Sequence, residues 1–367
     1  MSVETAALAG VEGVITAEQI AASASWLAGL QSRDGAIPWF TGGHCDPWNH
    51  VEAAMALTVT GHADAARAAY QWLARRQLAN GAWFNYYRGA DVVDARLDTN
   101  VVAYVATGVY HYLLATGDVD FAARLWPHVR AAIDFVFSWR LGDGTVRWSL
   151  DAAGRVEGYA LLTGSSSIYH AACCALALGE RLGEDVDAWR EPTAVLGHCV
   201  ARHPGAFAPK NEFAMDWYYP VLSGAVSGTA GERRLDDGWE RHVMEGLGVR
   251  CVSTSDWVTA AETAECALAL DAVGRPSLAL DVFALTARHR RVDGAYWTGL
   301  AYPQSRTFPN AEVTSYTAAA VILAADALTS SSGASDLFRH GVLARPPEQP
   351  EIGCPHGESR RAPLENP

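Results

Sequence analysis

The chain has 367 residues, half of them apolar and a tenth aromatic, enough for a sizeable core in one large fold or in two domains. Its formal charge is −13 and its one lysine is Lys210, so there is no basic footprint for nucleic acid. No run of about 18 apolar residues free of charge is present, which argues against a membrane span.

No amino-terminal stretch combines a basic segment, an apolar run and a small-residue cleavage site, so a secretory signal is not expected. The seven cysteines (45, 173, 174, 199, 251, 266 and 354) are odd in number and mostly fall inside helical patterns. They read as reduced, buried thiols of a cytoplasmic protein.

Thr16-Ala-Glu-Gln19 is a capping box opening a first helix that runs to about Gln31. Asp34-Gly35 breaks it, and Trp39 to Glu52 forms a loop dense in aromatic, acidic and imidazole side chains. That loop runs into a second, alanine-rich helix closed by Gly61. A third helix, about Ala63 to Gln77, ends at Asn80-Gly81. The fourth opens at Asp98-Thr-Asn100, whose side-chain oxygens suit capping, and continues to Gly117.

Asp118 starts the fifth helix, with Phe121, Leu125, Val129, Ile133 and Phe137 at helical spacing. A longer loop follows, in which Thr145 to Leu150 has the character of a short strand. Gly164 to Ser167 caps the sixth helix, and the seventh lies near Asp187 to Arg202. After a loop from Lys210 to Pro220, a short eighth helix spans Tyr219 to Val226. The ninth covers about Ala230 to Val243, the tenth Ala260 to Val273, the eleventh Pro276 to Arg290 and the twelfth Thr314 to Leu328. The tail, 330–367, is rich in Ser, Gly, Pro and charge and is expected to be disordered.

Even-numbered helices are small and apolar nearly all round, whereas odd-numbered ones carry charge on one face. Six helical hairpins therefore recur down the chain. The expected fold is all-α, a single (α/α)6 toroid over 1–329 with inner and outer helix rings. An open solenoid fits less well, because neither terminal hairpin has an obvious polar capping face.

In a closed toroid the odd-to-even loops emerge at one mouth. They hold Trp39, Trp48, Trp83, Trp148, Trp217, Trp257 and Trp297, whose flat faces suit sugar rings, isoprenoid chains or cations. The alternative is that these rings simply plug the mouth. Carboxylates gather in the same loops. Asp34 and Asp293 are turn residues and Asp98 is placed to cap a helix, but Glu52 and Glu262 sit about one turn into apolar helices. A carboxylate is costly to bury there unless it is paired. Acid–base chemistry on a neutral ligand needs two carboxyl groups in different environments, and this mouth could supply several pairs. His44-Cys45-Asp46 with His50 contains metal-ligand residue types, but its spacing matches no known zinc pattern, and no cofactor is expected.

Two resemblances appear. The turns Gln31-Ser-Arg-Asp-Gly-Ala-Ile-Pro-Trp39, Gln77-Leu-Ala-Asn-Gly-Ala-Trp83 and Arg291-Val-Asp-Gly-Ala-Tyr-Trp297 resemble the Q…G…W repeats of the prenyltransferase and squalene-cyclase superfamily. That superfamily's Asp-x-Asp-Asp acid motif and zinc set are absent. The segment from Asp98 to Phe135, with Asp143-Gly144, is similar to the third hairpin of glucoamylase-type (α/α)6 glycoside hydrolases. This second resemblance implies a general acid at Glu157, with Asp151 as rival, and a base at Glu312.

The expected function is cofactor-independent hydrolysis of a glycosidic bond in a carbohydrate or glycoconjugate, an oligosaccharide or glycolipid for example. Glu157 and Glu312 are the expected catalytic pair. Trp48, Glu52, Asp98, Asp216, Trp217, Trp257 and Glu262 are the expected binding residues. The alternatives are an isoprenoid cyclase or prenyltransferase-like enzyme, for which the cavity should be almost wholly apolar, and a non-catalytic sugar or lipid receptor. An epimerase or lyase would be marked by catalytic histidines at the mouth.

Overall fold

The computed structural model describes residues 8–343, apart from Ala152. The chain is predominantly helical. Its helices are α1 (Ala17–Leu30), α2 (Pro47–Val59), α3 (Ala63–Arg76), α4 (Thr99–Ala103), α5 (Val105–Thr116), α6 (Val119–Ser138) and α7 (Leu162–Leu182). There follow α8 (Asp187–Arg202), α9 (Ala214–Leu222), α10 (Gly228–His242), α11 (Ala260–Ala272), α12 (Pro276–Ala284) and α13 (Ser315–Thr329).

Helix α2 packs against α5, α5 against α7, α7 against α9, α9 against α11, α11 against α13, and α13 back against α2. These helices form a closed cycle, and their sequences explain why. Every residue of α2 is buried, and α13 is buried over almost its whole length. Small side chains let such helices approach on several faces at once, which a one-sided amphipathic helix cannot do. The more polar α3, α6, α8 and α10 each lie outside the cycle against a member of it.

The Gln-Gly turns join neighbouring outer helices. Gln31 Nε2 donates to Gly35 O at 3.1 Å and to Ala65 O of α3 at 2.8 Å. Gln77 Nε2 does the same to Gly81 O at 2.9 Å and His128 O of α6 at 2.8 Å. Gly81 has φ +90°, and a Cβ there would lie 2.2 Å from Ala131 O, so this turn requires glycine.

Two features depart from the sequence expectation. The fold is not purely helical. Strands β1 (Tyr86–Arg88) and β2 (Asp91–Asp94) pair, as do β3 (Leu97–Asp98) and β4 (Ser149–Leu150). A five-stranded antiparallel sheet then runs in sequence order through β5 (Val243–Met244), β6 (Gly248–Arg250), β7 (Trp257–Thr259), β8 (Trp297–Ala301) and β9 (Arg306–Val313). Its strands are two to eight residues long, too short for a period of two to stand out beside the strong helical periodicity.

The tail is the second departure. Residues 330–343 pack onto the helix cycle, while 344–367 lie outside the described residues. Phe338 stacks on His170 of α7 with ring centroids 5.2 Å apart, and Tyr110 OH donates to Val342 O at 2.6 Å. Asp326 is the anchor at the end of α13, accepting from Ser332 N at 2.8 Å and Ser332 Oγ at 2.6 Å. Ser- and Gly-rich composition hid a segment held by a few buried side chains.

Candidate active site

The connections from α1 to α2, α3 to α4, α6 to α7, α10 to α11 and α12 to α13 converge on a cavity of about 580 Å³. Four of the seven tryptophans expected at the mouth line it: Trp39, Trp148 and Trp257 from the connections and Trp48 from the first turn of α2. So do four carboxylates, Asp46, Asp98, Glu262 and Glu312.

Asp46 caps α2. Its Oδ1 accepts from Asn49 N at 2.9 Å, and its Oδ2 accepts from Asn49 Nδ2 at 2.6 Å and from the Trp39 indole. Asp98 caps α4 in the same manner, with Oδ1 accepting from Asn100 N at 2.9 Å and Val101 N at 3.3 Å. Its Oδ2 accepts from Trp148 Nε1 at 2.6 Å. Burial raises the Asp98 carboxyl to about 6 against those hydrogen bonds, which favour its charged form.

The two glutamates are held more loosely. Glu262, in the first turn of α11, accepts on Oε2 from Thr259 Oγ1. Glu312, on β9, accepts on Oε1 from Thr298 Oγ1 at 3.1 Å. Glu262 also meets the Cys251 thiol, whereas Glu312 has only this one hydrogen bond among the described residues. The sheet delivers both Glu312 and Trp257. Gly299 lies so close behind Trp257 that a Cβ would sit 1.7 Å from its Nε1, and Phe308 meets the indole edge-on at 4.5 Å.

Beneath the cavity is an aromatic floor. Trp48 stacks on Tyr104 with ring centroids 4.4 Å apart and meets Tyr316 edge-on at 5.5 Å. Tyr104 OH donates to Glu52, and Tyr316 OH donates to Glu265 at 2.6 Å. Burial raises the Glu52 carboxyl to about 7 and that of Glu265 to about 8. Both glutamates border a small void under this floor rather than the cavity above it.

The expected site residues therefore divide. Trp48, Asp98, Trp257, Glu262 and Glu312 are brought together. Glu52 holds the floor from below. Glu157 does not line the cavity; its N–H donates to Ser149 O at 2.9 Å, and its rival Asp151 is paired with Arg155 at 2.7 Å in a turn. Asp216 and Trp217 belong to the first turn of α9 rather than to a loop, and both border a second cleft. Trp83 Nε1 donates to Leu73 O at 2.9 Å within the core, and Trp297 lies under the Arg291 guanidinium at 4.5 Å.

Sequence reasoning missed Glu265. The Glu262-to-Glu265 spacing, which puts two carboxylates on one face of a helix, was the available signal. His50, which the sequence reading placed in the loop, lies in the first turn of α2 and is structural. Its Nδ1 accepts from Ile37 N at 3.1 Å and its Nε2 faces Ala69 O at 2.9 Å. Burial lowers it to about 4.

Acids, amides and tyrosines stand among the aromatic rings of the wall, so the cavity is not the almost wholly apolar one expected for isoprenoid chemistry. No helix among the described residues is long and apolar enough to cross a membrane.

No profile of a known protein family matches the chain. The chain is 47% identical over 355 residues to the MMP endo-(1,4)-3-O-methyl-alpha-D-mannosidase of Mycolicibacterium hassiacum, covering 97% of this chain and 98% of that one. Among solved structures, a wild-type glycosidase superposes with a TM-score of 0.64 at 14% identity, over 86% of this chain and 97% of its own. A D-mannose isomerase gives 0.64 at 12% identity, over 85% and 95%. A sugar epimerase from a ruminal bacterium gives 0.56 at 10%, over 84% and 98%. These structural likenesses speak for the fold alone, and neither the glucoamylase nor the prenyltransferase resemblance is shown by them. Identity of this extent over nearly the full length of both chains settles the family: the protein belongs to that of the Mycolicibacterium hassiacum endo-mannosidase, and it is a glycoside hydrolase.

Proposed function

We propose that the protein cleaves internal α-(1,4) bonds of a 3-O-methyl-mannose polysaccharide, with Glu262 and Glu312 as the acid–base pair. The relation to the endo-mannosidase carries the substrate reading. The division of hydrogen bonds carries the choice of pair. Asp46 and Asp98 each accept three hydrogen bonds from the protein and are fixed as caps. Glu262 and Glu312 line the same cavity and are held only by side-chain hydroxyls and, for Glu262, the Cys251 thiol. No helix amide fixes them, which suits a group that must give or take a proton at the glycosidic oxygen or at water.

In this reading Asp46 and Asp98 accept from sugar hydroxyls through their remaining lone pairs. Trp48 and Trp257 stack on sugar rings. Val101, Met215 and Pro309, aliphatic members of the wall, meet the O-methyl groups. The closed cycle of α2, α5, α7, α9, α11 and α13, with charged helices outside it, supports an (α/α)6 toroid. The thiols among the described residues are free, and this supports a cytoplasmic location.

The test is digestion of an α-(1,4)-linked 3-O-methyl-mannose oligosaccharide and its unmethylated counterpart, with products resolved by mass spectrometry. Early release of mid-length fragments from the methylated chain is expected. Monosaccharide release from one end, or equal cleavage of both chains, overturns the reading.

A further inference from the structure

A second cleft, of about 810 Å³, lies between α10 and the segment joining α8 to α9. It backs onto the first cavity. Thr163 lines the first and Leu162 the second, while Met215 faces the first and Asp216 the second. The wall between them is pinned at Asp216 Oδ1, which accepts from Thr163 N at 3.1 Å and from Thr163 Oγ1.

The cleft is basic in a chain of net charge −13. Arg233, Arg234, Arg241 and His242 line it, against the carboxylates of Asp216 and Asp237. On the other side of α10, Glu232 and Asp236 are spent on Arg275, at 4.0 and 2.5 Å. No described carboxylate comes within 4 Å of a guanidinium nitrogen of Arg233, Arg234 or Arg241.

Arg234 is fixed by the backbone instead. Pro220 has no N–H to offer the carbonyl of Asp216 one turn back, and Arg234 Nη2 donates to that oxygen at 2.6 Å. Its Nε donates to Trp217 O at 2.8 Å. These bonds orient the guanidinium, and the nearby Asp216 charge offsets it only in part, being outside ion-pair distance. Gly238 lets α10 close on Trp217, where a Cβ would lie 2.2 Å from the indole, and His242 stacks on that ring at 5.2 Å. His242 is buried with 2% exposure, and its Nδ1 has no hydrogen-bond partner among the described residues.

We propose that this cleft is a binding site for an oxyanion, a carboxylate or phosphate carried by a small polar ligand, held by Arg233, Arg234, Arg241 and His242. An arginine fork matches the two oxygens of either group, and a buried polar atom left without a partner costs free energy that a ligand would recover. The acidic field of the rest of the chain repels free anions, so a local excess of arginine, beside a His242 that burial keeps neutral and able to donate, marks the place where one is accepted.

The test is calorimetric titration of the full chain with inorganic phosphate and with D-glucuronate, each against sodium chloride at matched ionic strength. Wild type is compared with R233A/R241A. Saturable binding of at least one probe is expected, at least tenfold weaker in the double variant, with chloride giving none. Phosphate alone identifies a phosphoryl ligand, glucuronate alone a carboxylate, and both a general oxyanion site. The substituted arginines are exposed, so the variant should melt as wild type does and cleave the glycan at the wild-type rate. No saturable binding of either probe, or equal binding by the two proteins, overturns the proposal and leaves the glycosidase reading untouched.

Discussion

Trp148 Nε1 donates to Asp98 Oδ2 at 2.6 Å, joining residues 50 apart in sequence across the β3–β4 pair at the cavity wall. Burial is the largest influence on this aspartate and lifts it to about 6, while the indole and the helix amides favour its charged form. Replacing Trp148 by Phe keeps a ring and removes one of those donors. The carboxyl should then hold its proton to higher pH and lose its role as an acceptor sooner as pH falls. The acid-side rise in KM should move up by roughly half to one pH unit, with KM at pH 8 within about threefold of wild type. A pH series of initial rates reads this, and an unmoved acid limb would remove Asp98 from sugar binding.

Glu262→Gln and Glu312→Gln should each lower kcat by about 10²- to 10⁴-fold, with KM little changed. Glu157→Gln, outside the cavity, should stay within about twofold of wild type. Steady-state rates on the methylated oligosaccharide decide the matter. Full activity in either cavity variant would dismiss that residue as acid or base.

Glu52 and Glu265 make stability depend on pH. Burial raises Glu52 to about 7, so between the ordinary carboxylate range and that value the folded protein holds a proton that the unfolded chain has released. The stabilisation is complete below the ordinary range, falls as pH rises, and levels off above 7. Glu265, at about 8, extends the decline. Glu52→Gln keeps an acceptor for Tyr104 and has nothing to ionise. Its fall in unfolding free energy from pH 4 to pH 9 should be smaller than that of wild type by on the order of 3 kcal/mol. Urea unfolding at several pH values measures this, and parallel curves would refute it.

Gly81→Ala should cost about 2–4 kcal/mol, because the turn has φ +90° and the new Cβ would meet Ala131 O. Gly89, with φ +58° and nothing within 4 Å, is the control and should cost only about 1 kcal/mol when changed to Ala. A comparison of denaturant midpoints separates packing at the Gln-Gly turn from backbone strain alone.

The buried helices and their order were legible in the amino-acid pattern. Side-chain size and polarity act locally, so alanine-rich α2 and α13 stand out from charged α3 and α10 without knowledge of any partner. The pattern also placed the acids and tryptophans on connections that meet, and Trp48, Asp98, Trp257, Glu262 and Glu312 do share a cavity. Which carboxylate faces the cavity and which holds a tyrosine depends on long-range packing. Glu52 and Glu262 each lie about one turn into an apolar helix, but one points below the aromatic floor and the other into the cavity above it. Glu157 and Glu312 look alike as loop glutamates, and only the pairing of β8 with β9 carries Glu312 to the wall. Helix rotation and strand register are set by contacts between residues far apart in sequence, and no local pattern records them.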